Sequence, residues 1–207
     1  MPSPARIGVF GGTFDPIHFG HLAVAEAARH AFDLRTVLFV PAARQPFKAG
    51  RQVASAGQRL AMVFLATPDN PAFIPCDLEV RRSGPSYTVD TLRILHDAWA
   101  GSELLFLIGA DAIRDFPRWR NAAEILHLAR PGILARPGSS VDLAALDQQL
   151  PGIRARSRLV GGPQLAISSS DIRERIAAGL PVRYLLPEAV RRYILRQGLY
   201  LAADADG

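Results

Sequence analysis

The stretch VFGGTFDPIHFGH, Val9 to His21, follows a short apolar run and leads into a helical pattern. A tight strand-to-helix turn needs one glycine and at most the Asp15-Pro16 pair. Two glycines and two histidines exceed that need. Gly11 and Gly12 leave backbone N–H groups uncovered by side chains, and a following helix start adds its positive dipole end, so the loop suits phosphate oxygens. His18 and His21, three residues apart, point to one side of a first helical turn, toward whatever the loop holds. Gly20 between them admits close approach of a ligand to the backbone. The bland alternative is a turn capped by Asp15, with Pro16 opening the helix and two ordinary histidines beside it. It requires the surplus residues to coincide by accident.

Working outward, short β-branched or apolar runs alternate with amphipathic stretches. The spacing predicts strands over 6–10, 36–40, 73–80 and 104–108, with further strands at 133–135 and near Leu165. Helices are expected over 21–31, from a Ser55/Gln58 capping box through Ala66, and from Thr88, with Val89, Leu92, Leu95 and Trp99 on one face. More helix is expected over 111–128, near Leu143, from the Ser168–Ser170 run, and over 187–196. The 41–54 segment has the Pro, Gly and Arg content of a connection. This alternation argues for a doubly wound parallel α/β sheet in a single domain, residues 1–201, with a polar C-terminal tail at 202–207. In such sheets ligands sit beyond the carboxyl ends of the strands, where the opening motif falls.

Composition narrows the class. The chain has 207 residues, 49% of them hydrophobic, enough for one full core. Its 24 basic residues against 19 acidic ones give a net charge of +5, which favours anionic partners. Lysine is almost absent, and arginine is the better fork for phosphate oxygens. The single cysteine, Cys76, excludes an internal disulfide and any cysteine zinc site. No run is long enough to span a bilayer, and the start lacks the apolar core of a signal peptide, so a cytoplasmic location and no membrane partner are expected. There is no GxxxxGK followed by Ser or Thr, no GxGxxG after the strand and no HExxH helix.

GGTFDPIHFGH resembles the signature of the HxGH-motif nucleotidyltransferases, a Rossmann-like family. Four further segments follow in order: Pro85-Ser86-Tyr87-Thr88, Ile108-Gly109-Ala110-Asp111, Phe116-Pro117-Arg118-Trp119 and Ile167 to Arg173. Together they are similar to the bacterial nicotinate-nucleotide adenylyltransferases, from Ile7 to Tyr200. The resemblance implies an enzyme of NAD biosynthesis that transfers the AMP moiety of ATP to nicotinate mononucleotide, giving deamido-NAD (nicotinate adenine dinucleotide) and pyrophosphate. It implies that His18, His21 and Arg173 are catalytic. ATP and its phosphates would meet Gly11, Gly12, Thr13, Phe14, Lys48, Gly109, Asp111, Arg136, Ser168 and Ser169. Tyr87, Thr88 and Trp119 would bind the nicotinate nucleotide, and no protein metal site is implied.

Physical chemistry suits these roles. An electron-poor nicotinate ring stacks well on the Trp119 indole, although a tryptophan packed in the core gives the same residue. Backbone N–H groups at a helix start beside Tyr87 and Thr88 suit a carboxylate, and a Thr88 cap is the competing reading. Asp111 suits ribose hydroxyls or a helix cap. A phosphate monoester, with its second pKa near ~6, is largely dianionic at neutral pH and attacks without a strong base. The histidines are then charge stabilisers, and Mg²⁺ is expected to ride mainly on the ATP phosphates. The chain departs from the family at Pro46-Phe47-Lys48, where a histidine commonly stands at the Phe47 position, and at Pro131-Gly132, where an unbroken apolar run is usual. Pantetheine-phosphate adenylyltransferase, a nicotinamide-nucleotide preference and a nucleic-acid-binding domain are the alternatives. The main reading expects no nucleic-acid partner and leaves a homo-oligomer open.

Overall fold

The computed structural model describes residues 4–44, 54–135, 141–163 and 165–202. Lys48 and Arg136, most of the 41–54 connection including Pro46 and Phe47, and all of the tail except Ala202 lie outside the described residues.

Six strands form one sheet: β1 (Arg6–Gly12), β2 (Thr36–Pro41), β3 (Phe73–Pro75), β4 (Glu103–Gly109), β5 (Arg130–Ala135) and β6 (Arg158–Gly161). All pair in parallel, in the order β3-β2-β1-β4-β5-β6. The order reverses between β1 and β4, and that reversal opens a crevice at their carboxyl ends. The helices are α1 (Phe19–Ala31), α2 (Ala56–Ala66), α3 (Leu78–Arg81), α4 (Thr88–Ala98), α5 (Ala110–Ile113), α6 (Ala122–Leu128), α7 (Leu143–Gln149), α8 (Ile153–Arg156), α9 (Ser169–Ala177) and α10 (Glu188–Arg196).

Strand alternation divides the core into two layers. Phe10, Val37, Phe39, Leu105, Leu107 and Leu134 face α1, α2, α9 and α10. Ile7, Val9, Leu38, Val40, Phe106, Ile108 and Ile133 face α4, α6, α7 and α8. A period of two on strands buried on both sides yields the near-continuous apolar runs of the sequence. The doubly wound parallel sheet is thus the observed fold.

Four boundaries differ from the sequence pattern. β3 runs only to Pro75, although the Cys76 N–H still donates to the Phe39 carbonyl at 2.8 Å, and Asp77 then starts the short α3. The helix expected over 111–128 is broken into α5, a 3-10 turn at Phe116–Arg118 and α6, with Pro117 in the turn and Asn121 at φ 54°. β5 begins at Arg130 and includes Pro131. Pairing to β6 starts only at Gly132, so the missing proline N–H falls outside that ladder. The strand expected near Leu165 lies earlier, at β6, and is ended by Gly161-Gly162-Pro163.

Candidate active site

The opening motif occupies the carboxyl end of β1, at the crevice. Phe14 turns its ring into the core, 2% exposed at φ 51°, so any ligand contact it makes is through its backbone. A Cβ on Gly12 would stand 2.8 Å from that ring, which explains the second glycine. Gly11 is exposed, and nothing would meet a Cβ there within 4 Å.

His18 is the N-cap residue of α1 and His21 lies three residues on, so Asp15 does not cap this helix. The two imidazoles stack with centroids 3.7 Å apart. The His18 backbone N–H donates to His21 Nδ1 at 3.3 Å. A neutral His21 ring accepting at Nδ1 carries its proton on Nε2, as a donor. His18 is 5% exposed, and burial lowers its pKa to about 4. It is neutral at pH 7, and its Nδ1 is buried without a hydrogen-bond partner among the described residues. A Cβ on Gly20 would lie 2.9 Å from that Nδ1, so this glycine makes room for the His18 ring.

The α9 start docks onto the same loop across more than a hundred residues of chain. Arg173 Nη1 donates to the Asp15 carbonyl at 2.7 Å, and Ser169 Oγ donates to the Pro16 carbonyl at 2.9 Å. Ser168 caps α9, its Oγ accepting from Asp171 N–H at 3.0 Å. Asp15 itself is buried and accepts from the Tyr200 hydroxyl at 2.7 Å and the Ala54 N–H at 3.2 Å. Burial, reinforced by the Asp15 carboxylate, holds the Tyr200 hydroxyl protonated well beyond its usual range.

On the other side of the reversal, Gly109 ends β4 and is the N-cap residue of α5, which carries an exposed Asp111. Tyr87, not Thr88, is the N-cap residue of α4, and the Tyr87 side chain makes no cap hydrogen bond. Trp119 is half-buried, held edge-on by Phe106 and Phe116 at 5.7 and 5.4 Å between centroids. Beside it, the Arg120 guanidinium lies 4.6 Å from the centre of the Tyr87 ring. The fold thus gathers His18, His21, Ser169 and Arg173 around the opening loop, and Tyr87 and Trp119 at a second group joined through Arg120. Lys48 and Arg136 lie outside the described residues. Among the described residues no three of His, Cys, Asp or Glu come together in a way that could hold a metal ion.

Two supporting devices were not read from the motifs. Arg59 is fully buried in α2 and donates to the carbonyls of Thr13 (2.7 Å), Ala43 (3.1 Å) and Ala54 (3.2 Å). It fastens the opening loop to the exit of β2. A sequence signal existed: Arg59 lies on the same helical face as the buried Met62 and Val63. Glu79, buried beneath the α4 start, accepts from the Thr91 hydroxyl at 2.6 Å, and its pKa is raised chiefly by burial. Ser86 Oγ in turn accepts from the Ala43 N–H at 3.0 Å, so the Ala43 peptide is gripped from both sides of the crevice.

Comparison with known proteins accounts for this arrangement. The cytidylyltransferase-like family model matches residues 9–175. A probable nicotinate-nucleotide adenylyltransferase of Roseiflexus sp. (strain RS-1) is 52% identical over 199 residues, covering 96% of this chain and 99% of that one. Its counterpart in Herpetosiphon aurantiacus is 48% identical over 197 residues, covering 95% and 99%. The chain belongs to the nicotinate-nucleotide adenylyltransferase family. Among solved structures, the Plasmodium falciparum nicotinic acid mononucleotide adenylyltransferase complexed with NaAD shares the fold, with a TM-score of 0.73 at 20% identity over 95% of this chain and 97% of that one.

Proposed function

We infer that this protein transfers the AMP moiety of ATP to nicotinate mononucleotide, releasing pyrophosphate and forming nicotinate adenine dinucleotide in NAD biosynthesis. The observation that carries the reading is the α9 start bonded to the opening loop, with Arg173 and the stacked histidines beside one phosphate-ready turn. A phosphate oxygen of the nicotinate nucleotide forms a bond to the α-phosphorus of ATP. The bond from that phosphorus to the bridging oxygen breaks, and pyrophosphate leaves with its electron pair. No proton need move, because the attacking phosphate is already ionised. The task of the chain is alignment and charge relief.

His21 Nε2–H is a donor for the departing phosphates, and Arg173 has N–H groups beyond those given to Asp15 and Ser170. Magnesium bound to the ATP phosphates, with no protein ligand set required, would supply further neutralisation of their charge. Gly11, Gly12, Thr13 and the Phe14 backbone cradle phosphates, with Ser168, Ser169, Lys48 and Arg136 completing the ATP side. Gly109 and Asp111 face the ribose. The α4 start at Tyr87 and Thr88 receives the nicotinate carboxylate, and Trp119 stacks on the ring. This assignment belongs to one domain, 1–201, in the cytoplasm, where ATP and mononucleotides are at hand. Among the described residues no helix is long and apolar enough to cross a membrane.

The test is pyrophosphate release from Mg·ATP with nicotinate mononucleotide, nicotinamide mononucleotide and phosphopantetheine as parallel acceptors. Release chiefly with the nicotinate nucleotide is expected. Release chiefly with another acceptor would overturn the Tyr87, Thr88 and Trp119 assignment while leaving the ATP side standing.

A further inference from the structure

The amino ends of the strands carry a second concave feature. Arg6 opens β1, Glu103 opens β4 and Arg130 opens β5, and these strands are neighbours, so three charged residues share one rim. A cavity of about 560 Å³ there is lined by Arg6, Arg130, Arg156, His96 and His127 around Glu103. The Glu103 carboxylate is divided between Arg6 Nε at 3.1 Å and Arg130 Nε at 2.9 Å. Asp33 approaches Arg6 at 3.7 Å from an almost wholly exposed position and is not part of the lining. Three guanidiniums against one carboxylate leave the lining with two positive charges before either imidazole is protonated.

Arg156 stands apart from that ion-pair cluster. Its Nε is buried with no hydrogen-bond partner among the described residues, and so is the hydroxyl of neighbouring Ser157. The buried Nε is out of a ligand's reach, so Arg156 would serve the cavity that it lines through its Nη groups.

We propose that this cavity binds a phosphate-type oxyanion at a site separate from the nucleotide crevice. Arginine forks and imidazole N–H groups are the donors that match phosphate oxygens, and a concave rim of one sign concentrates such anions. β1 separates Arg6 from Gly12 by roughly 20 Å, at about 3.3 Å per residue, so a triphosphate held at the opening loop does not reach this rim. The volume admits free phosphate or the phosphate end of a mononucleotide.

The ring C–H signals of His96 and His127, in protein carrying isotope-labelled histidine, test the proposal directly. Inorganic phosphate is titrated at fixed pH and ionic strength, with AMP as a second arm. Saturable shifts of both signals are expected in the unmodified protein and in His21→Ala, with affinity weakened about tenfold in Arg156→Gln. Tighter response to AMP than to phosphate would assign the oxyanion to a nucleotide, and the converse to the free ion. The proposal fails if neither probe gives a saturable shift, if Arg156→Gln binds as well as the unmodified protein, or if His21→Ala abolishes the response. Arg130→Gln, read in the same way, serves should Arg156→Gln not fold.

Discussion

Side chains that touch substrate and side chains that hold the loop in place make different demands, and single substitutions separate them. His21 is half-buried at a helix start, where its ring stacks on His18. His21→Ala should lower turnover about 100-fold or more, the scale of losing one preorganised donor to developing charge, while loss of the acceptor for the His18 N–H costs only about 0.5–2 kcal/mol of stability and leaves the protein folded. Steady-state rates beside a melting curve check this; near-normal turnover would remove the charge-relief role. Trp119 presents the opposite separation. Phe106 and Phe116 brace the indole edge-on, so its loss removes a stacking face without reaching the opening loop. Trp119→Ala should raise KM for nicotinate mononucleotide roughly five- to tenfold and leave KM for ATP nearly unchanged. Equal loss for both substrates would dissociate Trp119 from the nicotinate ring.

At the scale of elements, one buried arginine decides where two loops sit. Arg59 spends donors on three carbonyls, two of them in segments that border the crevice. Burial works against its charge, and the Asp15 carboxylate and Tyr200 partly offset that cost. Arg59→Met keeps the volume but strands those carbonyls, so it should destabilise by roughly 3 kcal/mol or more in urea unfolding. A loss below about 1 kcal/mol would mean that water replaces the guanidinium freely. Arg59 also marks the limit of what the sequence discloses. Periodicity located most strands and helices, because burial on both faces writes continuous apolar runs. The HxGH and SYT segments were legible because their residues are consecutive. The Arg59 to Thr13 bond spans 46 residues; the place of Arg59 on the apolar face of α2 marks it as buried, but nothing local names its partner. The Glu79, Ser86 and Ala43 linkage is hidden for the same reason. β6 was misplaced because an edge strand exposed along Arg158 and Leu159 lacks the apolar run that marked its neighbours.

For the molecule as a whole, the acid limb of stability should begin at the active site rather than on the surface. His18 has a folded pKa of about 4 against 6.5 when unfolded, because the buried ring resists charge. Below pH 6.5 the unfolded chain takes up a proton that the folded chain refuses. Stability therefore falls as pH drops from about 6.5 toward 4, by up to roughly 3 kcal/mol once both values are passed. Glu188, pulled down to about 2 chiefly by its hydrogen bond to Arg191, protonates in the folded state only at lower pH. Its contribution is lost from about 4.5 downward, and Glu26 and Glu124, lowered by Arg29 and Arg93, act in the same direction. Glu79 opposes them: burial raises its pKa, so protonation favours the folded state as pH falls toward the usual carboxylate range. Between pH 6.5 and 5 the proton refused by His18 makes stability fall, with the raised Glu79 acting against it. Replacing it by a side chain that does not titrate, His18→Gln, should flatten the thermal midpoint across that interval while leaving the steeper fall below pH 4.5. The comparison is of slopes within each protein, so a uniform loss of stability in the variant does not blur it. An unchanged slope in His18→Gln would mean that the buried imidazole accepts its proton in the folded state, and the neutral His18 of the candidate site would fall with it.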